Sequence, residues 1–218
     1  MAFYKAIDHT LNAATDNMNS QIFFALSSRN LKQFHLYATV FLDEVAVHRI
    51  FAEDEFNFVS YKGGISTTLL PDFRLLAEYT WTNCLTFMHL IPTTTFESNR
   101  YNLGHYLEDN SKDFYASAEW KPLRALLVRL YYNRSLKGPD HTALGTPGRA
   151  YHPPFDPVVW ESQRVGLLSS FEVLNGLYLR LGYEWRRVEG EQDYLDRWTA
   201  EVYHGTTGTF RFGLNYGF

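Results

Sequence analysis

The last ten residues constrain the fold more than any other stretch. Phe210, Phe212, Leu214, Tyr216 and Phe218 share one parity, and Thr209, Arg211, Gly213, Asn215 and Gly217 share the other. Successive side chains leave a strand on opposite faces, so this is a strand with one wholly apolar face and one that is polar or bare. The sequence ends on the aromatic residue itself. A sandwich core could receive such a face, but a hydrocarbon surface fits it better.

The same period of two recurs upstream in four hairpins. Gln21 to Ser28 and Lys32 to Asp43 flank Arg29-Asn30-Leu31. Phe56 to Ser66 and Arg74 to Thr82 flank a turn at Leu70-Pro71-Asp72-Phe73. Asp113 to Lys121 and Arg124 to Arg134 turn on Lys121-Pro122-Leu123, and Val158 to Val173 and Leu177 to Arg187 turn across Leu174-Asn175-Gly176. Asn-Gly is a strong hairpin turn dipeptide. Between the hairpins run long links at 44–55, 83–112, 135–157 and 188–205. Val47, Ile50 and Phe51 in the first of these are spaced for a short helix or structured loop.

Short turns at one end and long loops at the other are the pattern of bacterial outer-membrane barrels, and a soluble sandwich has no reason to obey it. The fold predicted is all-β: an antiparallel up-and-down transmembrane β-barrel of about nine or ten strands, or the C-terminal part of a larger one. Residues 1–218 then form a single barrel domain that is incomplete at its N-terminus. Nine strands are an odd count, so either a tenth lies near Phe3 to Leu11 or more of the barrel precedes this segment. The Met1–His9 stretch lacks the apolar core of a secretory signal. Trp81, Trp120, Tyr132, Tyr183, Trp185 and Tyr216 fall near strand ends, where aromatic girdles belong. Glu78, Glu119, Lys121, Arg129, Arg180, Glu184, Arg186 and Arg211 lie on the polar parity and point into the lumen in this reading.

Other classes find little support. Mean hydropathy is −0.28, and the long uncharged stretch Thr80 to Phe96 contains Asn83, His89 and Pro92, so no helix spans a membrane there. A net charge of −4 without a basic run gives no nucleic-acid footprint. The single cysteine, Cys84, forbids an internal disulfide and fits no metal or redox spacing. The eight histidines are scattered, and the carboxylate pairs are adjacent in sequence rather than placed across a site. The chain is therefore predicted to be no enzyme, with no catalytic residues, metal or cofactor.

Three stretches carry a more specific likeness: Asp16 to Phe24, Leu36 to Val45, and Thr93 to Tyr106, read as TTTFESNRYNLGHY. With the strands around them they resemble the C-terminal half of the Wzi-type capsule assembly barrels of Gram-negative bacteria, over roughly Asp16 to Phe218. That resemblance implies a cell-envelope protein of the outer membrane. Its implied partners are surface or capsular polysaccharide, outer-membrane lipid, the barrel assembly machinery during insertion, and other envelope proteins. Polysaccharide would be held without chemical change by loops and lumen. Sugar recognition needs aromatic faces for stacking and polar groups for hydroxyls in one concave site. Asp43, Glu44, His48 and Arg49 in the first long link, and Glu97, Arg100, Tyr101, His105 and Tyr106 in the second, are the ligand-binding candidates. A passive pore or structural subunit of a larger outer-membrane complex is the alternative function.

Overall fold

The computed structural model describes residues 21–43, 58–88, 95–99, 101–141 and 157–217. Nine strands make one antiparallel sheet whose spatial order follows the chain. They are β1 (Ile22–Ser28), β2 (Phe34–Leu42), β3 (Val59–Leu70), β4 (Phe73–Thr82), β7 (Ser111–Leu123), β8 (Leu126–Lys137), β9 (Trp160–Leu174), β10 (Leu177–Gly190) and β11 (Gly205–Tyr216). A two-stranded hairpin of β5 (Glu97–Ser98) and β6 (Tyr101–Asn102) stands apart from the sheet. A helix, α1 (Gln192–Trp198), and a single 3-10 turn (Glu201–Tyr203) precede β11.

The nine strands expected from Gln21 onward are present, and three of the four hairpins turn at the short link expected. Boundaries differ: β3 runs Val59–Leu70 where Phe56 to Ser66 is expected, and two further differences bear on the connections. The third hairpin turns at Arg124-Ala125, not at Lys121–Leu123, because β7 continues through Leu123. Pro122 has no N–H to give a ladder, and the register shifts between Trp120 and Leu123 to absorb it. Lys121 N–H donates instead to the Asp72 carbonyl, 2.8 Å away on the neighbouring turn. The final long link is shorter than its polarity implied: β10 runs to Gly190, β11 begins at Gly205, and α1 lies between them. The turn at Asn175-Gly176 has Gly176 at φ +78°, and Gly217 N–H donates to its carbonyl at 2.8 Å, tying the end of β11 to the turn.

Closure is where the structure departs from the expected barrel. Among the described residues β1 pairs only with β2 and β11 only with β10, so the nine strands form an open sheet. The strand expected near Phe3 to Leu11 and the helical spacing at Val47–Phe51 lie outside the described residues.

The register sorts every strand onto two consistent faces. One row runs Leu36, Ile65, Ala77, Ala116, Tyr132, Val165, Trp185, Gly208 from β2 to β11, and a neighbouring row runs Thr67, Leu75, Ala118, Leu130, Leu167, Tyr183, Phe210. These belong to the apolar face. The opposite parity carries Lys62, Glu78, Tyr115, Asn133, Arg164 and Arg186.

Burial is inverted relative to a water-soluble fold. Phe210 and Phe212 are 84% and 76% exposed, and Leu26, Phe24, Leu130, Leu181 and Leu214 on the same face are exposed as well. The polar face holds the buried side chains: Thr82, Ser111 and Ser135 are 0% exposed, and Ser60, Thr80, Ser117, Asn133, Ser162 and Glu184 are also buried. Buried polar groups are mostly hydrogen-bonded, and Ser60, Thr82, Ser111, Asn133, Ser135 and Glu184 all are. Ser60 and Thr82 hydroxyls meet at 2.8 Å, and Ser135 donates to Asp113 at 2.7 Å. One buried apolar cluster is small, Leu107, Trp160 and Val188 with Tyr194, Leu195 and Trp198 against it, and it sits at the long-loop end.

Candidate functional site

The link between β4 and β7 folds back over the polar face. Its base is fixed by short-range bonds: Asn110 N–H to the Asn83 carbonyl at 3.1 Å, the Thr86 hydroxyl to the same carbonyl at 2.9 Å, and Phe87 N–H to Asp109 Oδ1 at 2.8 Å. Phe96 N–H then donates to the Phe87 carbonyl and Leu103 N–H to the Phe96 carbonyl, each at 3.0 Å, which carries the β5–β6 hairpin. Gly104 lies under the Phe87 ring; a Cβ there would come within 2.4 Å of it.

Between this link and the sheet lies a cavity of about 340 Å³. Four phenylalanines form one wall. Ring centroids are 4.8 Å apart for Phe23 and Phe41, 5.1 Å for Phe41 and Phe96, 5.2 Å for Phe41 and Phe87, and 5.5 Å for Phe23 and Phe96. Thr39, Ser60, Lys62 and Thr80 from the sheet and His105 and Tyr106 from the link supply polar groups. An aromatic wall facing hydroxyls and a cation is the composition that a sugar ring needs.

The electrostatics are organised by short networks. Lys62 Nζ is 2.7 Å from Glu78. Tyr106 donates its hydroxyl to Asp113 at 2.9 Å and meets Ser135 at the same distance; Asn133 Nδ2 also reaches Asp113 at 2.9 Å, and Arg164 Nε reaches Asn133 Oδ1 at 3.1 Å. Tyr106 thus has a ring that is largely exposed and a hydroxyl drawn between a carboxylate and a serine. Desolvation first, and the Asp113 charge second, push that hydroxyl up to about 12. Burial lowers His105 to about 4, so its imidazole is neutral at pH 7. Burial also raises Asp109 to about 7, against the opposing pull of the Phe87 N–H and the Lys137 charge. Asp109 Oδ2 is buried without a hydrogen-bond partner, which agrees with a carboxyl that holds its proton to near neutrality.

Three long links are joined next to this site. Lys137, 1% exposed, donates to the Asp109 carbonyl and pairs with Asp140 at 3.0 Å. Arg197 of α1 bridges Asp140 at 2.7 Å and Glu108 at 3.1 Å, and Asp140 N–H donates to the Tyr194 hydroxyl at 2.8 Å. Trp160 Nε1 donates to Thr199 Oγ1 at 3.0 Å within the Leu107–Trp160–Val188 cluster. Arg197 is more than half exposed, so its pairs orient α1 more than they stabilise it.

Of the candidates named from sequence, His105 and Tyr106 line the cavity. Glu97 and Tyr101 lie on the exposed β5–β6 hairpin and do not line it, with Tyr101 78% exposed. Asp43 is buried at the end of β2, its N–H donating to the Phe58 carbonyl at 3.0 Å, and it does not line the cavity either. Glu44, His48, Arg49 and Arg100 lie outside the described residues. Sequence reasoning missed Phe23, Phe41, Phe87 and Lys62. Phe23 and Phe41 do break the polar parity of β1 and β2, and that irregularity was the available signal. Among the described residues no three His, Cys, Asp or Glu side chains gather as metal ligands would, and no helix is long and apolar enough to cross a membrane. Comparison of the chain with protein-family models and with curated proteins gave no match to either.

Proposed function

We propose that this chain is part of an outer-membrane β-barrel whose loop end holds surface polysaccharide without altering it. The observation that carries the reading is the inverted burial: a continuous apolar face is exposed across nine strands while hydroxyls, amides and charges are packed on the other face. An exposed apolar surface of that extent needs a partner, and water is a poor one. Hydrocarbon suits it because the apolar positions of β10, Leu177 to Trp185, give way to charge at Arg187 and Glu189. About 9–11 residues is the length of a strand that crosses a bilayer. At the same end, Lys112, Arg134 and Glu161 replace the apolar residues of β7, β8 and β9. A closed barrel built on this sheet would require both free edges, those of β1 and β11, to be paired, because a bilayer leaves no water for open edges.

The glycan part of the proposal rests on the cavity of Phe23, Phe41, Phe87 and Phe96 beneath His105 and Tyr106. The same link covers the polar face at the loop end, which favours a binding role over a freely open pore. Two measurements test the reading. Fractionation of cells making the protein puts it in the detergent-extracted outer membrane; recovery as a soluble species would defeat the membrane assignment. Calorimetric titration with the host's surface polysaccharide gives binding that Phe96→Ala and Tyr106→Ala each weaken about three- to tenfold, the value of one aromatic contact. Equal affinity in wild type and both variants would remove the cavity from the function.

A further inference from the structure

Toward the short-turn end, the polar face of β7 to β11 carries more positive than negative charge. The register sets Leu127, Ser170, Arg180 and Gly213 in one row and Arg129, Leu168, Gly182 and Arg211 in the next. Around them lies a cavity of about 550 Å³ lined by the three arginines. Gly213 leaves its floor open: a Cβ built there would meet no atom closer than 3.7 Å.

The nearby carboxylates are already engaged. Glu119 is shared by Arg129, whose Nε lies at 2.6 Å, and Arg74 at 3.8 Å. Glu184 is shared by Arg186 at 2.7 Å, Arg211 at 3.4 Å and the Tyr131 hydroxyl. Glu172, one row nearer the turn, accepts Gly176 N–H at 3.2 Å. The Arg180 guanidinium is exposed and has neither a hydrogen bond nor an ion pair among the described residues. Arg74, Arg129, Arg186 and Arg211 thus share Glu119 and Glu184, Glu172 is held by the turn, and Arg180 is left over.

We infer that this hollow is an anion subsite that takes the carboxylate of an acidic sugar, with Arg180 as its principal contact; the sugar part rests on the polysaccharide reading above. A guanidinium presents a planar fork that matches a carboxylate at two points, and here one fork is unoccupied. Arg211 stands diagonal to Arg180 on the adjacent strand, within reach of the same ligand. Leu127 and Leu168 give the hollow an apolar patch against which a sugar ring can rest.

The test is titration of the full chain in detergent micelles with a trigalacturonate probe and with neutral maltotriose. Trigalacturonate binds at least tenfold tighter than maltotriose, more weakly as salt rises, and about tenfold more weakly in Arg180→Ala than in wild type, with Arg180→Lys between the two. Equal binding of the acidic and neutral probes, or unchanged trigalacturonate affinity in Arg180→Ala, overturns the inference. Phe96→Ala separates the two proposals. If it weakens trigalacturonate binding while Arg180→Ala does not, the loop-end cavity stands and the anion subsite falls. Loss in Arg180→Ala alone keeps the subsite and removes the loop-end cavity, and no loss in either variant refutes both.

Discussion

Individual residues in this sheet work in cross-strand pairs, and Gly166 shows how little room they leave. It stands directly opposite Tyr131, whose ring lies across it; a Cβ at this position would come within 2.3 Å of the ring. The flat placement lets the Tyr131 hydroxyl donate to Glu184 on the strand beyond. Gly166→Val must displace the ring and break that bond, so the urea midpoint of the protein in micelles should fall by the equivalent of about 1–3 kcal/mol. Gly63→Ala, with nothing within 4 Å of its Cβ, should stay within about 0.5 kcal/mol of wild type. A second residue-scale prediction concerns pH. Asp109 is raised to about 7, so the stability it gives is complete below the ordinary carboxyl range and is lost as pH climbs from about 4 to about 7. His105 is lowered to about 4, so its contribution is complete above the ordinary imidazole range and is lost as pH falls from about 6.5 to about 4. The two slopes oppose each other over the shared interval. Amide-exchange protection factors for residues 83–88 and 101–110 should therefore fall on acidification in Asp109→Asn and fall with rising pH in His105→Gln. Identical pH profiles in the two variants would contradict the assignment of these groups.

At the scale of the element, what matters is which face of a strand a residue joins. Phe212 of β11 belongs to the exposed apolar face, and Thr209 belongs to the polar one. If the apolar face meets hydrocarbon, Phe212→Arg should cost about 2–4 kcal/mol near the bilayer midplane, and Thr209→Gln should change stability by no more than about 0.5 kcal/mol. Urea titration in lipid vesicles measures both, and equal costs would argue that β11 does not meet hydrocarbon. The strands were legible because each residue's parity is a local property: Phe210, Phe212 and Leu214 announce their face whatever lies beside them. Long-range pairing was legible only where a turn was short. The end of the third hairpin was misplaced because Pro122 reads as a turn residue, whereas here the strand carries it through a register shift. Helix α1 was missed because its seven residues bury little apolar surface and owe their position to Arg197, Tyr194 and Trp198, contacts that come from other links. Of the residues that line the cavity, the sequence candidates include two, His105 and Tyr106. His105 and Tyr106 stood in a conspicuous aromatic stretch, while Phe87 and Lys62 are brought to them only by the fold.

For the whole molecule, the decisive feature is a sheet that is finished on its faces and unfinished at its edges. β11 offers one free edge and β1 the other, each with backbone groups that no described strand satisfies. In water such edges invite association, and in hydrocarbon they are untenable, so the membrane reading requires that both be paired in the assembled state. Cysteine scanning along β11 tests the face and the edge together. The background is clean: Cys84 is the single native cysteine, it is buried, and desolvation pushes its thiol up to about 11, so it reacts poorly with maleimides. In vesicles, a charged maleimide should label cysteines at Thr209, Arg211 and Asn215 and leave those at Phe210, Phe212 and Leu214 unmodified. Hydrogen exchange on the same vesicles should find the β11 amides that point away from β10 as protected as those that point toward it. Labelling at every position with rapid exchange along the outer edge would mean a water-exposed strand. Shielding of the apolar positions with rapid edge exchange would mean that the face is covered by protein at an open sheet, and the barrel would have to be abandoned even though the alternation that led to it remained correct.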